Sequence, residues 1–167
     1  GTEAEPTGFD PHVTPQHVAI RIEGQIYETL VDLDEDLNVI PKLAESWEQP
    51  DDVTYLFKLR KGVQFHSGRE MKAEDVKYSF ERMLNPDLGA LANSASYCGP
   101  IDKVEAVDEY TVKITLKQLT APFLSSLSSI YCAIVDKDVV EKEGNLQKAD
   151  GGTGPYTLGE WLPDNSV

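Results

Sequence analysis

The spacing of apolar residues along the chain predicts two main helices. From Val18 to Leu30, apolar residues recur every four positions, which places them on one face of a helix over residues 16–30. A second helix is predicted over residues 73–84, because acids fill its first turn and Arg82 lies near its end, as the helix dipole favours. Shorter helices are predicted over residues 123–129 and 137–143.

Alternation of apolar and polar residues predicts strands elsewhere. Apolar residues at every second position give one buried face to a strand over residues 51–60. Residues 103–107 and 111–116 alternate in the same way around a tight turn, which is typical of a β-hairpin. Further strands are predicted over residues 30–33, 37–40, 131–135 and 156–161. Strands outnumber helices and tight turns join most of them, so the predicted fold class is α+β, with a mixed, largely antiparallel sheet and flanking helices.

The charge of the chain narrows the range of partners. Its 167 residues carry 15 Lys and Arg against 29 Asp and Glu, a net charge of −14. Nucleic acids and anionic membrane surfaces are polyanions, and proteins bind them chiefly through Lys and Arg. The sequence therefore argues against both, and it contains no apolar run long enough to span a bilayer.

The three histidines do not form a recognisable catalytic or metal-binding pattern. His12 and His17 are five residues apart and lack the acid of a zinc helix, so solvated or hydrogen-bonded imidazoles are the better interpretation. His66 and Ser67 are adjacent, and neighbouring side chains of an extended chain point to opposite sides, so they cannot share a proton as a nucleophile and its base.

Two further patterns bear on the binding of ions. The acids at positions 32–36 lack the glycine and the distal glutamate of a calcium loop, which favours a solvated turn between two short strands. The glycines at 151, 152 and 154 lack the Lys-Ser/Thr ending of a phosphate loop, so a role in shaping the backbone is predicted. The residues thus predict neither an enzyme, nor a metal site, nor a cofactor.

The two cysteines leave the redox compartment open. Cys98 and Cys132 match no metal spacing and no Cys-x-x-Cys motif, and two separate buried thiols are favoured over one disulfide. If the protein is exported to an oxidising compartment, a disulfide is as well supported as two separate thiols.

Several segments resemble the signature of the extracellular solute-binding protein family 5, the oligopeptide, dipeptide and nickel binding components of ABC importers. The segments are residues 9–12 (FDPH), 27–31 (YETLV), 41–48 (PKLAESWE), 55–68 (YLFKLRKGVQFHSG), 73–76 (AEDV) and 152–156 (GTGPY). Their order and spacing fit the family over essentially the whole chain. One departure is Lys72, which stands where the family usually has Thr or Ser; because Lys cannot accept the capping hydrogen bond, the helix start is expected to be weaker by about 1 kcal/mol.

The resemblance implies the N-terminal part of a two-lobed, class II periplasmic-binding-protein-like fold. Residues 1–40 and 149–167 would belong to the first lobe, and residues 41–148 would form a small accessory domain. Family members are considerably longer, so the second lobe would lie outside this sequence. A single lobe cannot close over a ligand, and the apolar surface that it exposes is expected to favour self-association of this chain.

The function implied by the resemblance is binding of a solute, with a peptide as first choice, and its delivery to a membrane permease by closure of the two lobes. The alternatives are a family member that binds nickel, haem or an oligosaccharide, or a non-transport surface or chaperone-like protein on the same scaffold. The implied location is periplasmic or extracellular, with or without a lipid anchor.

Residues near the ligand follow from the same resemblance. The cleft would be lined by Tyr27, Glu28, Thr29 and Leu30, and a loop of the accessory domain that carries Ser94, Ser96 and Tyr97 would approach the ligand from the side. The structural alternatives are that Tyr27 belongs to the helix core, that Glu28 is a surface acid and that Tyr97 is a packing residue.

Overall fold

The computed structural model describes residues 8–13, 17–85 and 97–159. The helices are α1 (His17–Ile26), α2 (Ala73–Leu84), α3 (Phe123–Ser126) and α4 (Lys137–Glu143), and a 3-10 turn covers Ile130–Cys132. The strands are β1 (Val31–Leu33), β2 (Val39–Pro41), β3 (Ala44–Asp51), β4 (Thr54–Leu59), β5 (Ile101–Asp108) and β6 (Thr111–Leu116). The predicted α+β class is confirmed, and the strand pairs of the described ranges are antiparallel.

The main sheet has four strands in the order β3-β4-β6-β5. In β4 the predicted alternation holds, since Tyr55, Phe57 and Leu59 are buried while Lys58 is exposed. The hairpin of β5 and β6 is also confirmed. The edge strand β3 was missed by the sequence analysis, because most of its side chains are polar and exposed; Trp47 packs beside Phe57, with ring centroids 6.5 Å apart.

Helix α2 has the predicted bounds and packs across the sheet. Its buried face includes Val76, Phe80 and Met83. As predicted, the Lys72 side chain gives no capping bond; instead, its backbone N–H donates to the Asp75 carboxylate at 2.9 Å. The helix start thus keeps one half of a capping box.

Helix α1 ends at Ile26, four residues before the predicted end. The chain then runs extended, and the N–H of Ile134 donates to the carbonyl of Glu28 at 2.9 Å. Residues 152–154 close over the helix end, where a Cβ on Gly152 would lie 2.0 Å from the Ile26 oxygen. The predicted backbone-shaping role of these glycines is therefore confirmed.

Three other sequence predictions need correction. The helix over 123–129 stops at Ser126, and the strand over 131–135 is wrong, since a 3-10 turn opens that segment and only Ile134 makes a strand-like bridge. Its backbone groups find other partners, because the Val135 N–H donates to the Ser79 hydroxyl at 3.0 Å. Residues 156–159 are not a strand, and 160–161 lie outside the described residues.

The cysteines form a disulfide, which corrects the preference for two separate thiols. Cys98 and Cys132 are both buried, with Cα atoms 6.0 Å apart. Spacing along the chain did not reveal the pairing, because residues 34 positions apart are brought together only by the fold.

Two apolar clusters organise the interior. The larger lies between the main sheet, α2 and the first hairpin, and the smaller joins the end of α1 to residues 133–146. The division into a first lobe and an accessory domain at residues 40 and 149 stays a prediction. None of the helices in the described ranges is long and apolar enough to cross a membrane.

Candidate ligand-binding site

An open cavity of about 430 Å³ lies between the end of α1, the chain that follows it and the segment of the 3-10 turn. Its walls mix apolar, hydroxyl and charged side chains, a combination typical of small-molecule sites. The lining residues are Ile20, Gly24, Tyr27, Thr29, Asp32, Lys42, Ser128, Ser129, Ile130 and Tyr131.

One wall of the cavity carries a tyrosine that stacks on a second tyrosine outside the lining. Tyr131 lines the cavity and is only 9% exposed, and the ring of Tyr97 stacks on it with centroids 4.6 Å apart and planes at 19°. Tyr97 is 51% exposed. The pair therefore presents an aromatic surface of which one ring is anchored and the other is open to solvent.

The structure separates the residues that the resemblance assigned to the cleft. Tyr27 and Thr29 line the cavity, and the Thr29 hydroxyl donates to the Val31 carbonyl at 2.7 Å. Leu30 lies in the larger apolar cluster, and the Glu28 carboxylate accepts a bond of 2.9 Å from the Thr153 hydroxyl. Tyr97 joins the cavity through Tyr131, whereas Ser94 and Ser96 fall outside the described residues. Their contact with a ligand stays a prediction.

A charged pair also lies in the wall of the cavity. Lys42 Nζ is 2.8 Å from Asp32 Oδ2, and both residues line the cavity. Burial raises the pKa of Asp32, but the hydrogen bond from Lys42 and the Leu33 N–H outweigh it, so this pKa lies below its ordinary value. The wall thus holds an ionised pair that can offer both a donor and an acceptor.

A buried carboxyl group lies on the same face of α1 as the lining residues. Glu23 is fully buried, three residues after Ile20 and four before Tyr27, and its two carboxyl oxygens have no hydrogen-bond partner among the described residues. Burial, with the charge of Asp10, raises the pKa of Glu23 to about 8. Near neutral pH this carboxyl is mostly protonated.

A buried ion pair holds the N-terminal segment in place. Arg82 donates to both oxygens of Asp10, at 2.9 and 2.5 Å, and to His12 Nδ1 at 2.8 Å. Burial raises the pKa of Asp10, but the bonds and charge of Arg82 bring it below its ordinary value. Burial, with the charge of Arg82, lowers the pKa of His12 to about 4, so this imidazole is neutral and its Nε2 donates to the Ala133 carbonyl at 3.0 Å.

His66 and Ser67 bind different carboxylates. His66 Nδ1 lies 2.6 Å from Asp150 Oδ1, while the Ser67 hydroxyl donates to Asp136 Oδ2 at 2.6 Å. The two side chains thus have different partners, although residues 66 and 67 lie in a turn and not in the extended chain that was predicted. Within the described ranges, groups of three or more His, Cys, Asp or Glu side chains placed to hold a metal were not found.

The sequence analysis missed Tyr131 and the serines beside it. A signal was present, because each cysteine directly follows a tyrosine, at Tyr97-Cys98 and Tyr131-Cys132. A disulfide between the cysteines would bring the two tyrosines together, so a prediction of the pairing would also have predicted the aromatic wall.

Comparison with known proteins identifies the class of protein to which this chain belongs. The fold is similar to part of AppA, the oligopeptide-binding protein from Bacillus subtilis, solved in complex with a nonapeptide. The TM-score is 0.85, with 30% identity over 98% of this chain and 34% of that one. Residues 38–167 match the family described as bacterial extracellular solute-binding proteins, family 5. The chain belongs to this family, and the resemblance noted in its sequence is confirmed.

Two curated relatives show the range of the family. Di/tripeptide-binding protein 2 of Pseudomonas aeruginosa is 33% identical over 99% of this chain and 36% of its own length. Heme-binding protein A of Haemophilus influenzae is 32% identical over 99% of this chain and 35% of its own length. The chain spans about a third of the length of the relatives that it matches.

Proposed function

We propose that this chain is part of a peptide-binding component of an ABC importer. The observation that carries the proposal is the cavity with an aromatic wall and a charged pair, in a chain whose family consists of solute-binding proteins. Relatives named for di- and tripeptides, and a similar structure solved with a nonapeptide, support a peptide over other solutes.

The geometry matches the chemistry of a peptide. The tyrosines offer apolar surface for a side chain, while Lys42 and Asp32 offer a donor and an acceptor to the polar backbone or to a terminus. Ligand binding would favour a closed arrangement of two lobes, in which residues 1–40 and 149–167 belong to the first lobe and residues 41–148 to the accessory domain. The closed form would be recognised by a membrane permease.

The location and the chemistry of the protein follow from the same proposal. The family is extracellular, and we infer a periplasmic or extracellular site of action, with a lipid anchor as one means of retention. We also infer binding without catalysis. A haem ligand is the second candidate, because one relative is named for heme.

The test is isothermal titration calorimetry on the full-length protein with di-, tri- and tetra-alanine and with hemin. We expect a peptide to bind, and we expect Tyr131→Ala to weaken that binding at least tenfold, since a buried aromatic anchor is typical of binding hot spots. Tyr156→Ala is the matched control, because Tyr156 is 64% exposed and lines a different cavity. Binding of hemin with no response to peptides would overturn the proposal in favour of haem.

A further inference from the structure

The segment at 128–131, which lines the cavity, is joined twice to the segment that carries Tyr97. The first link is the disulfide between Cys98 and Cys132, and the second is the stack of Tyr97 on Tyr131. Each tyrosine directly precedes its cysteine, so the covalent bond and the ring contact are one residue apart on both segments. Together they form a cross-linked aromatic pair.

The two links differ in their exposure. Both cysteines are fully buried and belong to the larger apolar cluster, so the disulfide is fixed in the interior of the protein. Tyr97 lies half exposed beside it, at the surface. The disulfide therefore connects the exposed ring directly to the core.

The next anchor of the Tyr97 segment lies three residues further along the chain. Gly99 turns the backbone at φ +80°, and a Cβ there would lie 3.3 Å from the ring of Phe123. The Pro100 carbonyl then accepts a hydrogen bond of 2.8 Å from the Lys117 N–H, and β5 begins at Ile101. Between Tyr97 and this anchor, the disulfide is the strongest constraint on the position of the ring.

We propose that the Cys98–Cys132 disulfide is a positioning element for ligand binding, which holds Tyr97 against Tyr131 and so favours peptides with an aromatic side chain. The inference rests on the proposed function. A stack between one buried and one half-exposed ring is weak by itself, and without the disulfide the Tyr97 ring would occupy other orientations. The ligand would then have to order the ring on binding, which costs affinity.

The experiment compares four full-length proteins: the wild type, Cys98→Ser/Cys132→Ser, Tyr97→Leu, and the combination of all three changes. Calorimetry gives the dissociation constants of trialanine and of the tripeptide Ala-Phe-Ala for each protein. We expect the cysteine pair and Tyr97→Leu each to weaken binding of Ala-Phe-Ala by about tenfold and binding of trialanine much less. We expect the combined protein to bind no more weakly than either parent, because both changes remove the same positioned ring.

A control separates positioning from general stability. Val104→Ala removes buried volume from β5, and its side chain is not part of the cavity wall. It is expected to lower the melting temperature while the affinity ratio of the two peptides stays that of the wild type. If the serine pair does not fold, Tyr131→Leu breaks the ring stack with the disulfide intact, and it should lower the same ratio.

The outcomes distinguish this inference from the proposed function. If the losses from the cysteine pair and from Tyr97→Leu multiply in the combined protein, or if both peptides lose affinity equally, the positioning role is wrong while peptide binding stands. If the wild type binds neither peptide, the proposed function fails and the inference fails with it.

Discussion

The buried carboxyl of Glu23 makes the stability of the protein depend on pH in a way that one substitution can isolate. Its pKa is raised from an ordinary value of 4.5 to about 8 in the folded protein, because the side chain is buried and lies near Asp10. The folded state therefore binds this proton more tightly than the unfolded state. The resulting stability is fully present below about pH 4.5 and is lost as the pH rises through 8.

The size of the effect follows from linkage. One pKa unit corresponds to about 1.4 kcal/mol, so between pH 5 and pH 8 the raised pKa of Glu23 should cost the wild type about 3 kcal/mol of unfolding free energy. The variant Glu23→Gln keeps the shape of the side chain and cannot ionise. Relative to the wild type, its unfolding free energy should rise by about 3 kcal/mol over this range.

The assay is urea unfolding of both proteins at pH 5, 6, 7 and 8, followed by tryptophan fluorescence and by circular dichroism. Other groups titrate in this range as well, and taking the difference between the two proteins removes their contribution. Glu48→Gln, at an exposed glutamate of β3, is the matched control. A difference between Glu23→Gln and the wild type that is the same at pH 5 and pH 8 would refute the reasoning.

Three other predictions concern stability and are checked by the same unfolding measurement. Gly152→Ala should lower the unfolding free energy by roughly 1–3 kcal/mol, because its Cβ would meet a helix carbonyl. Gly24→Ala, in open space on α1, should raise it by about 1 kcal/mol. Equal effects of the two substitutions would contradict the packing argument. Reduction of the Cys98–Cys132 disulfide should lower the unfolding free energy by about 4 kcal/mol, since it closes a loop of 34 residues; an unchanged urea midpoint would speak against the bridge. Arg82→Met should lower the unfolding free energy by about 3–5 kcal/mol, because it leaves the buried carboxylate of Asp10 without its cation. A loss below 1 kcal/mol would contradict this, since it would mean that water reaches the carboxylate.

Local patterns predicted the elements whose neighbours in space are also neighbours in sequence. Helix α2 and the hairpin of β5 and β6 were predicted because periodicity, capping and turn residues all lie within a dozen positions. Strand β3 was missed because an edge strand needs little apolar surface, and the segment at 131–135 was misread because a short apolar run does not distinguish a strand from other buried backbone.

The candidate site was predicted only in part, for the same physical reason. Tyr27, Thr29 and Tyr97 were predicted from the resemblance to a family and not from local spacing. Tyr131 lines the cavity, and its stack with Tyr97 is a contact across 34 positions that no local spacing encodes. The buried state of Glu23 was equally hidden, because a glutamate in a helical pattern normally faces solvent.

The contacts of the N-terminal segment also bear on the order in which the chain folds. Asp10 accepts a hydrogen bond from the Leu146 N–H at 3.1 Å, and Phe9 donates to the Gln147 carbonyl at 3.2 Å. These bonds join residues that leave the ribosome among the first and among the last of the described chain. The N-terminal segment therefore cannot pack in its final position, and its carboxylate stays hydrated, until residues 146 and 147 have been synthesised. Closing so long a loop slows folding.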